Sequence, residues 1–220
     1  MVIGGVSASI SRIDGICEVV NAIRVDSCHP GDSLQWKHIT RKKLNDYERL
    51  CDLALFLLSE HIIDFTAVVI SRKEVKHHRF NEGDGEVGFQ KFLSELFLAY
   101  PRKYRRPAVL RCFHGQRDSK FTTENIRSIL NARAEKKHGL GYLPFTRYEY
   151  LDPSQSPMHQ LNDFILGATS WHWNPGMRQI PDSPKSTMAR LFQQQVGYAM
   201  LNAETPASAP HFDIWKLKLS

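Results

Sequence analysis

Apolar residues along this chain fall into two alternating rhythms, one of short runs and one of three-to-four-residue spacing, and the alternation sets the expected elements. Val2, Ile3 and Val6 open a strand over 2–10, where the Gly4-Gly5 pair signals a bend or a close backbone approach. Ile16, Val19, Val20 and Ile23 then stand at helical spacing over 14–25, with Asp14 placed as a cap. A turn at His29-Pro30-Gly31-Asp32 and an extended Leu34-Gln35-Trp36 lead to a long helix capped by Thr40. Its stripe is Leu44, Tyr47, Leu50, Cys51, Ala54 and Leu58. Phe65-Thr66-Ala67-Val68-Val69-Ile70 is β-branched and almost wholly apolar, the composition of a central strand covered on both faces.

Residues 73–88 are polar and rich in His, Gly and charge, an expected exposed excursion. A helix is expected over 89–100, with Phe92, Leu93, Leu96 and Phe97 inward and Pro101 as its stop. After a strand over 108–113, a helix from Thr122 or Thr123 buries Ile126, Ile129 and Leu130 and ends at Lys136-Lys137-His138-Gly139. A strand over 147–151 stops at Asp152. A helix around Asp163, a Pro- and Ser-containing loop over 174–184, a helix over 187–201 and a closing strand over 211–217 complete the chain. This alternation argues for a mixed α/β or α+β sheet with helices on both faces. No internal linker marks a boundary, so one domain spanning 1–220 is expected.

A chain of 220 residues can bury a core without disulfides, and 42% hydrophobic with 24% charged residues excludes a wholly disordered protein. The formal charge of +6 permits a polyanionic partner without requiring one. Cys17, Cys28, Cys51 and Cys112 have neither C-x-x-C nor zinc-finger spacing and read as reduced, mostly buried thiols. The amino terminus lacks a signal-peptide pattern and no run reaches membrane-spanning length. A cytoplasmic protein without a membrane partner is expected.

The segment His159-Gln160-Leu161-Asn162-Asp163-Phe164-Ile165-Leu166-Gly167-Ala168 sets one carboxylate in an otherwise apolar helical stretch. Near a core boundary, Asp163 needs a hydrogen bond, a basic partner such as Arg147, or a metal ion. Asp152, before Pro153 and Ser154, also reads as an ordinary turn and cap. Arg102-Lys103-Tyr104-Arg105-Arg106 suits phosphate contact or a solvated loop. His77 and His78 admit a metal or a solvated loop, and Trp171-His172-Trp173 admits base stacking or packing. Gly83-x-Gly85-x-x-Gly88 lacks the preceding strand of a phosphate loop, and no Gly-x-Ser-x-Gly elbow supports a serine hydrolase.

Gly4-Gly5-Val6, Leu34-Gln35-Trp36-Lys37, Phe65-Thr66-Ala67-Val68-Val69, Asp152-Pro153-Ser154, Gln160-Leu161-Asn162-Asp163 with Gly167-Ala168, and Phe212-Asp213-Ile214-Trp215 follow one another in an order that resembles the domain of unknown function 3800 family along the whole chain. Residues 160–168 look like that family's Leu-Gln-x-x-Asp-x-x-x-Gly-Ala signature. The family is similar to the ribonuclease H-like superfamily. The resemblance therefore implies a ribonuclease H-like mixed α/β sheet flanked by helices, and divalent-metal-dependent cleavage of nucleic acid phosphodiesters. Carboxylates would hold Mg²⁺ or Mn²⁺ beside the scissile phosphate. On this reading Asp163 and Asp152 are metal ligands, joined in catalysis by Asp118 or Asp32, and Arg102, Lys103, Arg105 and Arg106 hold the nucleic acid.

The departures from the pattern are as informative. No counterpart of the family's opening Asp-Glu-Ser-Gly strand stands in this sequence, Ser33 and Gln35 occupy its Glu-x-Lys-Trp element, and His114-Gly115-Gln116-Arg117-Asp118 replaces a strand-terminal Asp. Two accounts fit: a shorter product of a longer gene, or a variant that keeps the fold and has lost catalysis. A sheet lacking its first strand leaves an edge that a protein partner could complete. The expectations are thus a metal-dependent nuclease-like protein with a partly eroded carboxylate site, or a non-catalytic binding module or subunit of a larger assembly.

Overall fold

The computed structural model of this chain describes residues 1–27, 32–71, 73, 75, 84–104, 107–174, 180–197, 201–206, 209 and 211–218. In chain order the elements are β1 (Val2–Ala8), α1 (Ile10–Val25), α2 (Leu44–Ser59), β2 (Ile63–Val69), α3 (Gly85–Phe97), α4 (Tyr100–Lys103), β3 (Leu110–Gly115), α5 (Thr123–His138), β4 (Phe145–Leu151), α6 (Pro157–Trp173), α7 (Pro184–Gln195) and β5 (Phe212–Lys216). The architecture is mixed α/β, as expected, and no helix among the described residues is long and apolar enough to cross a membrane.

Two compact units form, one from Met1–Ile70 with Pro153–Lys218 and the other from Ser71–Asp152. In the first, the apolar run of β2 is buried at every position and occupies the centre of a three-stranded sheet. β1 pairs with it antiparallel, Gly4 opposite Ala67, and β5 pairs parallel, Ile214 opposite Ala67. A side chain at Gly4 would meet Leu166 Cδ1 at 3.0 Å and the Phe65 ring at 3.1 Å, so the glycine answers a close approach of α6 to the sheet. Around it pack Ile16, Val20 and Ile23 of α1, Tyr47, Leu50 and Ala54 of α2, Leu161, Phe164 and Ile165 of α6, and Met188 and Phe192 of α7. The start of β5 is pinned to β2: Phe65 N–H donates to the His211 carbonyl at 2.8 Å, and His211 Nδ1 lies 2.5 Å from Asp64 Oδ1.

In the second unit β3 and β4 form a parallel pair, with a register irregularity at Leu110 and Arg111. Cys112, Phe145 and Tyr148 pack with Ile126, Leu130 and Ala134 of α5. Asn131 binds both backbone groups of Phe145, donating from Nδ2 to its carbonyl and accepting its N–H at Oδ1, each at 2.9 Å.

Element ends depart from the sequence expectation where capping or turn chemistry outranks apolar spacing. The first helix begins at Ile10 behind Ser9, so Asp14 lies inside it and caps nothing. Thr40 precedes a 3-10 turn, and α2 starts only at Leu44. Asp84 accepts the N–H groups of Glu86 and Val87, at 2.8 and 3.1 Å, and so starts α3 at Gly85, four residues before the expected point. Pro101 does not stop that helix, which ends at Phe97. It sits instead in the first turn of α4, where its missing N–H costs nothing. β3 runs to Gly115, beyond the expected Phe113, and β4 starts at Phe145. The helix expected to reach Leu201 is capped by Ser183 and ends at Gln195, with Gly197 at a φ of 83° just beyond. The α5 boundaries agree with expectation: Thr122 Oγ1 accepts the Asn125 N–H, and Gly139 takes the left-handed conformation. Ile129, however, is exposed rather than buried. His77, His78 and Gly83 lie outside the described residues.

Candidate functional site

Gln160, Asp163 and Gly167 stand at i, i+3 and i+7 of α6 and therefore share one face. That face grips the segment Leu34-Gln35-Trp36, whose last residue opens a 3-10 turn over Trp36–His38 where an extended piece was expected. Leu34 N–H donates to Gln160 Oε1 at 2.8 Å, and Gln160 Nε2 in turn donates to the Ser154 carbonyl at 2.9 Å. Trp36 N–H donates to Asp163 Oδ2 at 2.7 Å. Gly167 lies directly under the indole, where an added Cβ would stand 2.2 Å from Trp36 Cδ2. A carboxylate accepting a backbone N–H satisfies the partner that the sequence demanded for Asp163. Arg147 takes no part in this, its ion pair being with Glu149 at 2.6 Å.

Tyr47 completes the clasp by donating its hydroxyl to the Gln35 carbonyl at 2.6 Å. Burial first, then the negative charges of Asp163, Asp32 and Asp46, push its phenol well above the ordinary value and hold the donor proton in place. Asp32 is ion-paired with Lys43 at 2.5 Å. Asp46 is only 2% exposed, and its Oδ2 has no hydrogen-bond partner among the described residues. Sequence reading missed Asp46, because at the first turn of α2 an acid passes for an ordinary favourable charge.

The other nominated carboxylates belong to the second unit. Asp152 directly follows β4, and Asp118 stands three residues beyond β3, both exposed. Since Gln116 N–H donates to the Leu151 carbonyl at 2.8 Å, the pairing of the two strands extends to the point where these acids leave the sheet. Both therefore belong to the carboxyl end of one parallel pair. Among the described residues no three His, Cys, Asp or Glu side chains are gathered as one cation would require.

Of the nominated phosphate contacts, Arg102 and Lys103 fall in α4 rather than in a loop, while Arg105 and Arg106 lie outside the described residues. Trp171 and His172 are buried, and His172 Nε2 lies 3.1 Å from the Ala189 carbonyl, which is packing rather than a stacking platform. Cys51 and Cys112 are free and buried, and Cys17 is free and half-buried, as read from their spacing. Cys28 lies outside the described residues. Comparison with protein-family models, with curated proteins and with solved structures gave no match to this chain.

Proposed function

We propose that this chain is a nucleic-acid-binding module of ribonuclease H-like architecture, allied to the domain of unknown function 3800 family, whose signature helix serves to hold the fold together. The observation that carries this reading is the 2.7 Å hydrogen bond from the Trp36 amide to Asp163, within a clasp that uses Gln160 and Gly167 as well. Residues that the resemblance assigns to chemistry are thereby engaged in architecture. An excess of Lys and Arg over Asp and Glu, 29 against 23, gives the surface the sign that nucleic acid needs.

One observation favours the cleaving alternative. Asp118 and Asp152 leave the carboxyl ends of neighbouring parallel strands, the position where ligands of such sheets bind. Mg²⁺ or Mn²⁺ is commonly held by one or two carboxylates with substrate phosphate completing the shell. Labelled single- and double-stranded oligonucleotides, with and without these ions, separate the two readings. The binding module retains oligonucleotide, weakens steeply between 50 and 200 mM salt by roughly tenfold or more, and leaves it intact. Metal-dependent cleavage abolished by Asp118→Asn or Asp152→Asn overturns that reading in favour of a nuclease.

A further inference from the structure

The β3–β4 sheet has two faces of opposite character. Leu110, Cys112, Tyr148 and Tyr150 point to the packed side, in or against the core that includes α5. The alternate residues Arg111, Phe113, Arg147 and Glu149 point the other way. Arg111 is exposed, Phe113 is 41% exposed and the Arg147 side chain 51%. A single exposed apolar side chain is ordinary, and what sets Phe113 apart is its company: it faces Glu149 across the pair and shares its face with the adjoining Arg111 and Arg147.

The charge arrangement is unfavourable as it stands. Arg111 and Arg147 are direct partners across the two strands, and like charges so placed repel. Glu149, on the same face, is already paired with Arg147 at 2.6 Å. Arg111 makes no ion pair or side-chain hydrogen bond among the described residues, so its guanidinium is available to an external anion. Glu149 steadies Arg147, whose guanidinium carbon lies 5.8 Å from the centre of the Phe113 ring. No other ring stacks on Phe113 among the described residues. The register irregularity beside Arg111, with Thr146 Oγ1 donating to the Leu110 carbonyl at 3.3 Å, offsets the strands where the two arginines meet.

We propose that this face binds single-stranded nucleic acid, one base stacking on Phe113 and flanking phosphates engaging Arg111 and Arg147. The proposal rests on the nucleic-acid reading above and gives it a surface. An aromatic ring beside a pair of cations offers an unstacked base a stacking face and the adjoining phosphates their counter-charge, whereas a duplex keeps its base faces covered. An acidic protein segment would satisfy the arginines but would leave the ring without a matching planar partner.

Fluorescence anisotropy with labelled oligo-dT and oligo-rU, against a duplex of equal length, tests the assignment on the full chain. Phe113→Ala is expected to weaken single-strand binding about 5- to 100-fold, as loss of one stacked base does, with little effect on duplex. Arg111→Gln is expected to weaken it and reduce the salt slope by about 0.7, one phosphate contact. These side chains are exposed, and circular dichroism confirms folding of both variants. Wild type that binds no nucleic acid sinks the functional reading and the surface together. Wild-type binding left unchanged by both substitutions sinks the surface alone, as does equal weakening for single strand and duplex by Phe113→Ala.

Discussion

Gly167→Ala probes the closest packing in the first unit. The added methyl would lie 2.2 Å from Trp36 Cδ2 and 2.3 Å from Cγ, more than an ångström inside the carbon contact distance of about 3.5 to 4.0 Å. The indole has little room to yield: it is 9% exposed, its backbone is tied to Asp163, and its ring centre lies 6.0 Å from that of Phe164. Complete expulsion would return about 150–250 Å² to water, at roughly 25 cal/mol per Å² a loss of about 4–6 kcal/mol. Local accommodation of one extra methyl ordinarily costs about 1–3 kcal/mol, and the depth of this overlap places the cost toward the larger figure. Against it stands the better helix propensity of Ala, about 1 kcal/mol. A net loss of about 2 kcal/mol follows. In a Trp36→Ala background the overlap is gone and only the propensity remains, so the same substitution should stabilise by up to about 1 kcal/mol. Denaturant midpoints followed by far-UV circular dichroism, arranged as a double-mutant cycle, read this reversal of sign. Equal cost in both backgrounds, or none in either, refutes the clasp.

Asp163→Asn keeps an oxygen for the Trp36 N–H and is expected to cost less than about 1 kcal/mol, whereas Asp163→Ala strands that amide at a cost of about 1–3 kcal/mol. Equal denaturation midpoints for the two variants would contradict this. Asn131→Ala removes both hydrogen bonds to Phe145 from a site 6% exposed, a loss of about 2–4 kcal/mol, with faster amide exchange at Phe145 as the local readout. Burial pushes the thiols of Cys51 and Cys112 from 9.0 up to about 12, so the folded chain holds these protons more tightly than the unfolded one. That contribution is complete below pH 9 and disappears as pH rises from there toward 12, by up to about 1.4 kcal/mol per unit for each thiol. Denaturation midpoints between pH 8 and 11 should fall accordingly, and thiol reagents should reach neither cysteine before denaturant is added.

Element interiors were legible in the amino-acid order because they rest on burial, whereas most ends, those of α5 excepted, were not, because they rest on local capping and turn geometry. The apolar run of β2 announces a central strand, and the stripe Tyr47, Leu50, Cys51, Ala54 announces the inward face of α2. Yet whether Ser9 or Asp14 starts α1, or Asp84 rather than a later residue starts α3, depends on local backbone geometry that periodicity does not encode. The division at Ser71 and Asp152 was not legible in the sequence, because the polar, Gly-containing stretch over 73–88 reads equally as an exposed excursion of one domain. At the site, the need of Asp163 for a partner was readable from its apolar surroundings. Its partner was not, since a backbone N–H 127 residues away has no signature in residue identity. Phe113 and Arg111 were hidden for a related reason: the pairing of β3 decides which residues face outward, and the strand runs over Leu110–Gly115 rather than the expected 108–113.

A cation centre and a backbone clasp write nearly the same pattern on a helix. Each needs acceptor side chains on one face, which forces i, i+3 and i+7 spacing, and each benefits from a small residue where something approaches closely. Tolerance to substitution tells them apart. A centre that holds a divalent ion depends on the charge at position 163, whereas the clasp depends only on an oxygen there, so Asn suffices for one and not for the other. At position 167 the order reverses, because an ion has no quarrel with a methyl group that the Trp36 ring excludes. Asp163→Asn and Gly167→Ala, measured side by side for stability, therefore distinguish architecture from chemistry without any assay of activity.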